Sequence, residues 1–221
     1  MKDTQDNQTG KHRREMVALL QRRGIRSADV LEAMGQVPRH AFVPKHLIDL
    51  AYEDGALPVG EGQTISQPYM VALMTEAASP GRESRVLEVG TGSGYSTAIL
   101  SAVSGTVYSI ERHEVLAEAA RERLEATGFA QNVFIRVGDG TLGWPDKAPF
   151  DAIIVAAAGP RIPDALKAQL AIGGRLVMPV GQAAGAQLLT RVIRKSAGEY
   201  ETETLVQVSF VPLIGAQGFP R

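Results

Sequence analysis

Three evenly spaced glycines mark the stretch of this 221-residue sequence that is best suited to hold a ligand. In RVLEVGTGSGY, Gly90, Gly92 and Gly94 follow an apolar run that contains one acid, Glu88, and an apolar helical pattern begins at Tyr95. Glycine lets the backbone turn with positive φ and approach a ligand without an intervening Cβ. The following helix would point its first N–H groups at that ligand. The pattern predicts a nucleotide-type cofactor site.

Acidic residues at the ends of the next two predicted strands narrow the choice of cofactor. Glu111 ends the run TVYSIE, where a carboxylate can accept hydrogen bonds from ribose hydroxyls, and Asp139-Gly140 follows NVFIRV. The spacing G-x-G-x-G is one residue short of the dinucleotide fingerprint, which disfavours an NAD-dependent oxidoreductase. The set resembles the site of S-adenosylmethionine (SAM) methyltransferases. This resemblance implies a cofactor site made of Glu88, Gly90, Thr91, Gly92, Ser93, Glu111, Asp139 and Gly140.

Alternating apolar segments predict the elements that would position these residues. With helices between them, strands are expected at Val86–Val89, Val107–Glu111, Val133–Val137, in FDAIIVAAA and at Arg175–Val180. Two further strands, Gln187–Arg194 and Leu205–Val211, have a short connector and should pair antiparallel. We predict an α/β fold, a doubly wound, mostly parallel, Rossmann-like sheet of the seven-stranded type, with an N-terminal helical extension and a C-terminal antiparallel strand pair. Ligands bind at the carboxyl ends of such strands.

A second stretch, GQTISQPYMVALMTE, follows a long segment that is rich in glycine and proline and shows no periodicity. Long loops inside compact domains are usually functional or disordered, and the many apolar residues here disfavour disorder. Pro68 suits the first turn of a helix. Gln63, Thr64 and Ser66 would therefore lie at or just before a helix N-terminus, with their polar groups pointing one way. Ordinary helix capping is the alternative interpretation of the same residues.

Composition excludes several classes of protein. The chain is 44% hydrophobic and 21% charged, as expected of a globular protein, and its net charge of −1 gives no basic excess for nucleic acid. It has no cysteine, which removes a thiol nucleophile and cysteine zinc sites, and we expect no metal. The polar start MKDTQDNQTGKHRR lacks a signal-peptide core, and no apolar run approaches the roughly 20 residues of a membrane span. We expect a cytoplasmic monomer without membrane or nucleic-acid partners.

The chain is expected to divide into two segments of one compact unit. Residues 1–80 would form the helical extension and the segment that covers substrate and cofactor, and residues 81–221 would form the SAM-binding domain. Residues Met1 to about Thr9 are polar enough to predict disorder. A helix should then run from Lys11 to Gly24, and Ser27 should cap a second helix.

The sequence from about Pro38 to Leu213 resembles the protein-L-isoaspartate O-methyltransferases. VLEVGTGSGY is shared across SAM methyltransferases, whereas GQTISQPYMVALMTE is much narrower and carries the family resemblance. The resemblance implies methylation of the abnormal carboxyl of L-isoaspartyl and, less well, D-aspartyl residues in damaged proteins. The ester then collapses to a succinimide, which initiates repair. It also implies that Ser66, in the TIS motif, is the active-site serine. We expect the neighbouring Gln63 and Thr64 to hold the substrate's backbone and to fold over the cofactor. Ser96 and Thr97 depart from the Gln-Ala that relatives often carry.

This chemistry is compatible with a sequence that offers no obvious general base. A carboxylate acceptor has a pKa near ~4 and is already ionised at neutral pH. The protein would contribute positioning, which can be worth about 7–11 kcal/mol, and Ser66 would orient the acceptor by a hydrogen bond. Two other functions stay open at this point. They are a methyltransferase for a small molecule or RNA, and a SAM-binding module without catalysis.

Overall fold

The computed structural model describes residues 2–183 and 185–220, with side chains from residue 9 onward. The helices in these ranges are α1 (Lys2–Arg22), α2 (Ala28–Gln36), α3 (Pro68–Ala78), α4 (Tyr95–Val103), α5 (Glu114–Thr127) and α6 (Asp164–Ala168). The strands are β1 (Leu57–Gly60), β2 (Gln63–Ile65), β3 (Arg85–Val89), β4 (Thr106–Glu111), β5 (Val133–Val137), β6 (Phe150–Val155), β7 (Leu170–Gly181), β8 (Gln187–Arg194) and β9 (Tyr200–Val208).

Strands β3 to β9 form a seven-stranded sheet in the order β5-β4-β3-β6-β7-β8-β9. The first five of these pair in parallel, and β8 and β9 add to β7 antiparallel. The predicted doubly wound α/β fold with its C-terminal antiparallel pair is confirmed. Because β3 has β4 on one side and β6 on the other, the strand order reverses there. Ligands bind in the crevice outside the carboxyl ends of strands at such a point.

The central parallel strands β3, β4 and β6 are buried on both faces, as their mostly apolar runs predict. Val86 and Ala152 face a cluster that includes residues of α3 and α4. Their neighbours Leu87 and Ile153 face the opposite cluster, which includes Leu166 of α6. Because successive side chains point to opposite faces of the sheet, β3 and β6 contribute to both apolar clusters and are held between them. The loops that leave their carboxyl ends start from a rigid base.

The N-terminal helix starts earlier than the sequence predicts. Disorder was expected up to about Thr9, but α1 is helical from Lys2. Of these first nine residues, only Met1 lies outside the described ranges. Its anchor is further along, where Met16 and Leu20 are buried. Once an anchored turn exists, each added residue costs little, so a polar segment can continue the helix. The predicted end is confirmed, since Gly24 has φ 104°.

A two-stranded hairpin, β1 and β2, occupies the segment in which the sequence shows no periodicity. Leu57 pairs with Ile65 and Pro58 with Thr64 in antiparallel register. Two features hide it from pattern analysis. Proline is tolerated because the pair has only edge strands, and the turn needs positive φ, which is 51° at Glu61. The hairpin brings Gln63 and Thr64 onto a strand, not a helix start.

The first 80 residues share a core with the rest of the chain. Met34 and Phe42 pack in one cluster with Tyr95 and Ile99 of α4. The Phe42 and Tyr95 rings are 5.8 Å apart, and the Tyr95 hydroxyl lies 3.6 Å from the Met34 sulfur. The expected boundary at residue 80 therefore crosses a continuous apolar core, and that division stays a prediction. No described helix is long and apolar enough to cross a membrane.

Candidate active site

A cavity of about 1170 Å³ lies at the carboxyl ends of β3, β4 and β6. The glycine loop after β3 forms one wall, and the segment from β2 to α3 forms another. Residues from the end of β9 and the C-terminal segment close a third side. The cavity brings together most of the predicted site residues, namely Gln63, Thr64, Ser66, Gly90, Thr91, Gly92, Ser93, Glu111 and Gly140.

The glycine loop has the conformation that its spacing predicts. Gly90, Gly92 and Gly94 have φ values of 97°, 53° and 89°, in the region that side chains disfavour. A Cβ at Gly92 would meet no protein atom within 4 Å, and Gly92 lines the cavity. The N–H of Gly94 donates to the Thr91 carbonyl at 2.9 Å, which closes the turn before α4. The loop therefore offers backbone to the cavity with no Cβ in the way.

Glu111 joins the loop to the end of β4. Its Oε2 accepts a hydrogen bond from the Gly92 N–H at 2.8 Å, and its Oε1 accepts one from the His113 N–H at 3.0 Å. The residue is buried but lines the cavity. A carboxylate has about four acceptor positions, so two remain for a ligand. Glu111 thus fixes the loop and can still accept bonds from a pair of hydroxyls.

Glu88 is absent from the residues that line the cavity, and its predicted contact with the cofactor stays a prediction. It is fully buried, and its Oε2 accepts hydrogen bonds from Thr97 and Ser109, each at 2.6 Å. Ser109 also bonds the Thr91 hydroxyl at 2.6 Å, so the carboxyl supports the loop from behind. Burial raises the pKa of Glu88 to about 7, although the bonds from Ser109 and Thr97 oppose the rise.

Asp139 also lies outside the main cavity, against expectation. Its Oδ1 accepts hydrogen bonds from the N–H and hydroxyl of Thr141, and its Oδ2 accepts one from the Ala216 N–H at 2.7 Å. The carboxylate therefore holds the C-terminal segment against the end of β5 and borders a smaller cavity of about 440 Å³. The adjacent Gly140 does line the main cavity. A Cβ there would fall 2.3 Å from a Val89 methyl.

Ser66 lies between β2 and α3, half-buried in the cavity wall. The N-cap of α3 is Gln67, and no side chain caps that helix. The alternative interpretation, in which Ser66 is a helix cap, is therefore wrong. Within the described residues its hydroxyl has no hydrogen-bond partner. It can donate to a ligand in the cavity without giving up a bond inside the protein.

Four residues near Ser66 were missed as site residues by the sequence analysis. Asp54 accepts hydrogen bonds from the Tyr69 N–H at 2.9 Å and from the Gln67 amide at 3.0 Å, and it pairs with Arg23. Together they tie the end of α1 and the loop before β1 to the first turn of α3. The contacts join positions 13 to 31 residues apart, so no local spacing reveals them. The described residues contain no group of three metal ligands.

The donor set fits SAM. Backbone groups of the glycine loop line the cavity without a Cβ at Gly92, and Glu111 keeps acceptor positions for ribose hydroxyls. Both lie at the carboxyl ends of neighbouring parallel strands, where the strand order reverses. The fold and this site define a SAM-dependent methyltransferase.

Comparison with known proteins identifies the family. Residues 11–218 match the family described as protein-L-isoaspartate(D-aspartate) O-methyltransferase, and the chain belongs to it. A protein-L-isoaspartate O-methyltransferase of Pelotomaculum thermopropionicum is 52% identical over 215 residues, which cover 97% of this chain and 93% of that protein. One of Methylorubrum populi is 56% identical over 196 residues, covering 89% of this chain and 91% of that one.

Solved structures agree with this assignment. A methyltransferase structure of the same family from Plasmodium falciparum, in complex with S-adenosyl-L-homocysteine, has a TM-score of 0.78 and 28% identity, and the match covers 92% of this chain and 98% of that one. A second protein-L-isoaspartate O-methyltransferase structure has a TM-score of 0.84 and 29% identity, covering 93% of this chain and 67% of the other. The cofactor of this chain is SAM, as predicted.

Proposed function

We propose that this chain methylates the free carboxyl of L-isoaspartyl residues in damaged proteins, and that the transfer takes place in the main cavity. The observation that carries the proposal is that Ser66 and the glycine loop line one cavity, although they belong to different elements. A donor held at the loop and an acceptor held at Ser66 would therefore share the same enclosed space. The family membership of the chain supports the same reaction.

The cofactor would be held by the loop from Gly90 to Ser93 and by Glu111, with Gln63 and Thr64 covering it from the hairpin. When bound, SAM supplies a methyl group on a positively charged sulfur. Glu111 is pre-oriented for the ribose because two backbone N–H groups already fix its carboxylate. Glu88 would act indirectly, by keeping Thr91 in place through Ser109.

The acceptor requires orientation, not activation. Its carboxylate is ionised at neutral pH, since the ordinary pKa is near ~4, so no general base has to remove a proton. The Ser66 hydroxyl would donate a hydrogen bond to one acceptor oxygen and leave the other free to attack. The reaction consumes one negative and one positive charge, so a cavity with apolar walls such as Val89 and Ile65 favours it over water.

Discrimination between isoaspartyl and aspartyl residues would depend on shape. Both present one carboxylate, so charge does not separate them. The isoaspartyl residue has one extra backbone CH2, which changes how far its carboxyl reaches when the flanking peptide is held. Fixed groups at Ser66 and the α3 N-terminus would accept one reach and reject the other.

Labelled SAM and a pair of matched peptides test the proposal. One peptide carries L-isoaspartate, and its twin carries aspartate at the same position. We expect base-labile methyl ester on the isoaspartyl peptide alone. Equal labelling of both peptides, or of neither, would contradict the proposed substrate. RNA and a small-molecule extract serve as further acceptors, because labelling there would support the alternative methyltransferase.

We also propose that the protein acts as a monomer, because the glycine loop, the segment from β2 to α3 and the C-terminal segment of the same chain together line the cavity. Light scattering at assay concentration should give the mass of one chain, and a dimer mass would refute this. A cytoplasmic location and the lack of nucleic-acid partners stay predictions from the sequence.

A further inference from the structure

Arg23 lines the same cavity as Ser66, and its contacts with Asp54 and Tyr69 hold it against the first turn of α3, which follows Ser66. It follows the last residue of α1, and its guanidinium carbon sits 3.7 Å from the centre of the Tyr69 ring. One nitrogen, Nη1, pairs with Asp54. The side chain is 38% exposed and lines the cavity. A cation is therefore held in a fixed orientation beside the proposed acceptor position.

The guanidinium keeps donors for a ligand. Arginine has five N–H groups, and within the described residues only Nη1 of Arg23 is engaged. Asp54 is shared, because it also accepts from the Tyr69 N–H and the Gln67 amide. Because Asp54 also accepts these two hydrogen bonds, its carboxylate neutralises Arg23 less completely than it would if it were bonded to Arg23 alone. The site is thus arranged to offer a planar fork of donors to an anion, the geometry that suits a carboxylate.

The basic residues of the cavity wall distinguish Arg23 from Arg112. Arg23 and Arg112 are the basic side chains among its described lining residues. Arg112 follows Glu111 at the ribose end, so Arg23 is the cation at the acceptor end. A direct ion pair between Arg23 and the reacting carboxylate would lower the nucleophilicity of that carboxylate. The Ser66 hydroxyl can already orient the reacting carboxylate by a hydrogen bond. A second carboxylate of the peptide is the better partner for Arg23.

We infer that Arg23 determines specificity by binding a second carboxylate of the substrate peptide, next to the isoaspartyl residue. The inference rests on the proposed function. The carboxylate belongs to a neighbouring aspartyl or glutamyl side chain or to a nearby chain terminus. Stacking on Tyr69 and pairing with Asp54 fix the side chain beforehand, so little rotamer freedom remains to be lost on binding.

Peptides with and without the second carboxylate test this. Two amidated isoaspartyl peptides differ only in Glu or Gln beside the isoaspartate, and the Gln peptide is also made with a free C-terminus close to it. Wild type should have a lower KM for a peptide with the extra carboxylate. In Arg23→Gln that KM should rise about tenfold, the size of one charge-assisted hydrogen bond. Loss of the tie to Asp54 should change kcat by the same factor for all three peptides, so the ratio of the KM values for the Glu peptide and the amidated Gln peptide isolates the proposed contact.

Arg22→Gln is the matched control, because Arg22 is exposed on the same helix end and does not line the cavity. It should leave every KM unchanged. Arg23→Lys keeps the charge without the fork and should give an intermediate KM, which separates recognition from unfolding. Equal KM values for all peptides in wild type would overturn the inference, as would equal effects of Arg22→Gln and Arg23→Gln. Failure of wild type to methylate any isoaspartyl peptide would instead overturn the proposed function, and this inference with it.

Discussion

At the scale of single residues, a substitution at Ser66 tests the proposed chemistry most directly. Ser66 lines the cavity, and its hydroxyl holds no bond inside the described protein. Ser66→Ala should lower kcat roughly 10- to 100-fold, the loss of one hydrogen bond to a charged group, at about tenfold per 1.4 kcal/mol. Single-turnover methyl transfer measures this, and calorimetry with S-adenosylhomocysteine should show unchanged affinity. Turnover equal to wild type would remove Ser66 from the mechanism.

Glu88 gives a pH prediction. Burial raises its pKa to about 7 in the folded protein, against 4.5 for an ordinary glutamate. The folded state therefore holds this proton more tightly, so its contribution to stability is full below about pH 4.5 and is lost as the pH rises through about 7. The difference in unfolding free energy between Glu88→Gln and wild type should thus change across this window by on the order of 1–3 kcal/mol.

Urea unfolding between pH 4.5 and 8 checks this prediction. The matched control is Glu125→Gln, an exposed glutamate on α5. It should leave the pH dependence of the unfolding free energy as in wild type. A Glu88→Gln profile parallel to that of wild type would show that Glu88 does not titrate there.

Glu88 and Glu111 also show which properties of single residues could not be predicted from the sequence. Spacing places Glu88 within β3 and Glu111 at the end of β4, but both are acids near one loop. Which of them faces the cavity depends on partners far away in sequence, such as Ser109 for Glu88. For Asp139 the deciding partner is the Ala216 N–H, 77 residues away. The glycine loop was predictable because its requirement is local backbone geometry.

At the scale of elements, Arg39 joins the loop before the hairpin to α4. It is fully buried, donates to the carbonyls of Ala51 at 2.8 Å and Gly55 at 3.3 Å, and lies 4.8 Å from the Tyr95 ring centre. Arg39→Ala leaves both carbonyls unsatisfied and opens a cavity. We expect it to lower the unfolding free energy by roughly 2–4 kcal/mol.

Denaturant titration measures that loss. Arg82→Ala is the comparison, since the Arg82 side chain is 73% exposed and its pair with Asp29 is on the surface. Such pairs are worth about 0–1 kcal/mol. Arg39→Met, which restores volume but not donors, should recover only part of the stability. If Arg39→Ala were as mild as Arg82→Ala, the buried arginine would not be what fixes this loop.

The same elements explain what the sequence could predict of the fold. Strands β3 to β5 were found within one residue, and β6 begins at the predicted Phe150 but ends three residues before the end of its apolar run. Burial of the central strands leaves apolar runs that the sequence shows directly. The hairpin was missed because Pro58 and the glycines of its turn interrupt the alternation of side chains. The start of α1 was missed because its polar residues continue a helix that Met16 and Leu20 anchor from a distance.

At the scale of the whole molecule, the shared core predicts that the chain unfolds as one unit. Trp144, the single tryptophan, lies near the end of β5, stacked by Arg136 at 4.4 Å, far in sequence from α1. Because Phe42 and Tyr95 belong to one apolar cluster, tryptophan fluorescence and helical circular dichroism should report the same midpoint. Two separated transitions would mean that residues 1–80 fold independently.

The cofactor should stabilise that single unit, because its cavity is lined from both sides of residue 80. S-adenosylhomocysteine at a hundred times its Kd adds about 2.7 kcal/mol, which raises the midpoint of a chain this size by roughly 5–10 °C. Glu111→Ala should lose much of this shift, since unpaired ribose hydroxyls cost about 1–3 kcal/mol of affinity, whereas Ser66→Ala should keep it. Equal shifts in both variants would place the ribose elsewhere. A shift in only one of two transitions would show that ligand binding and the N-terminal segment are not coupled through the common core.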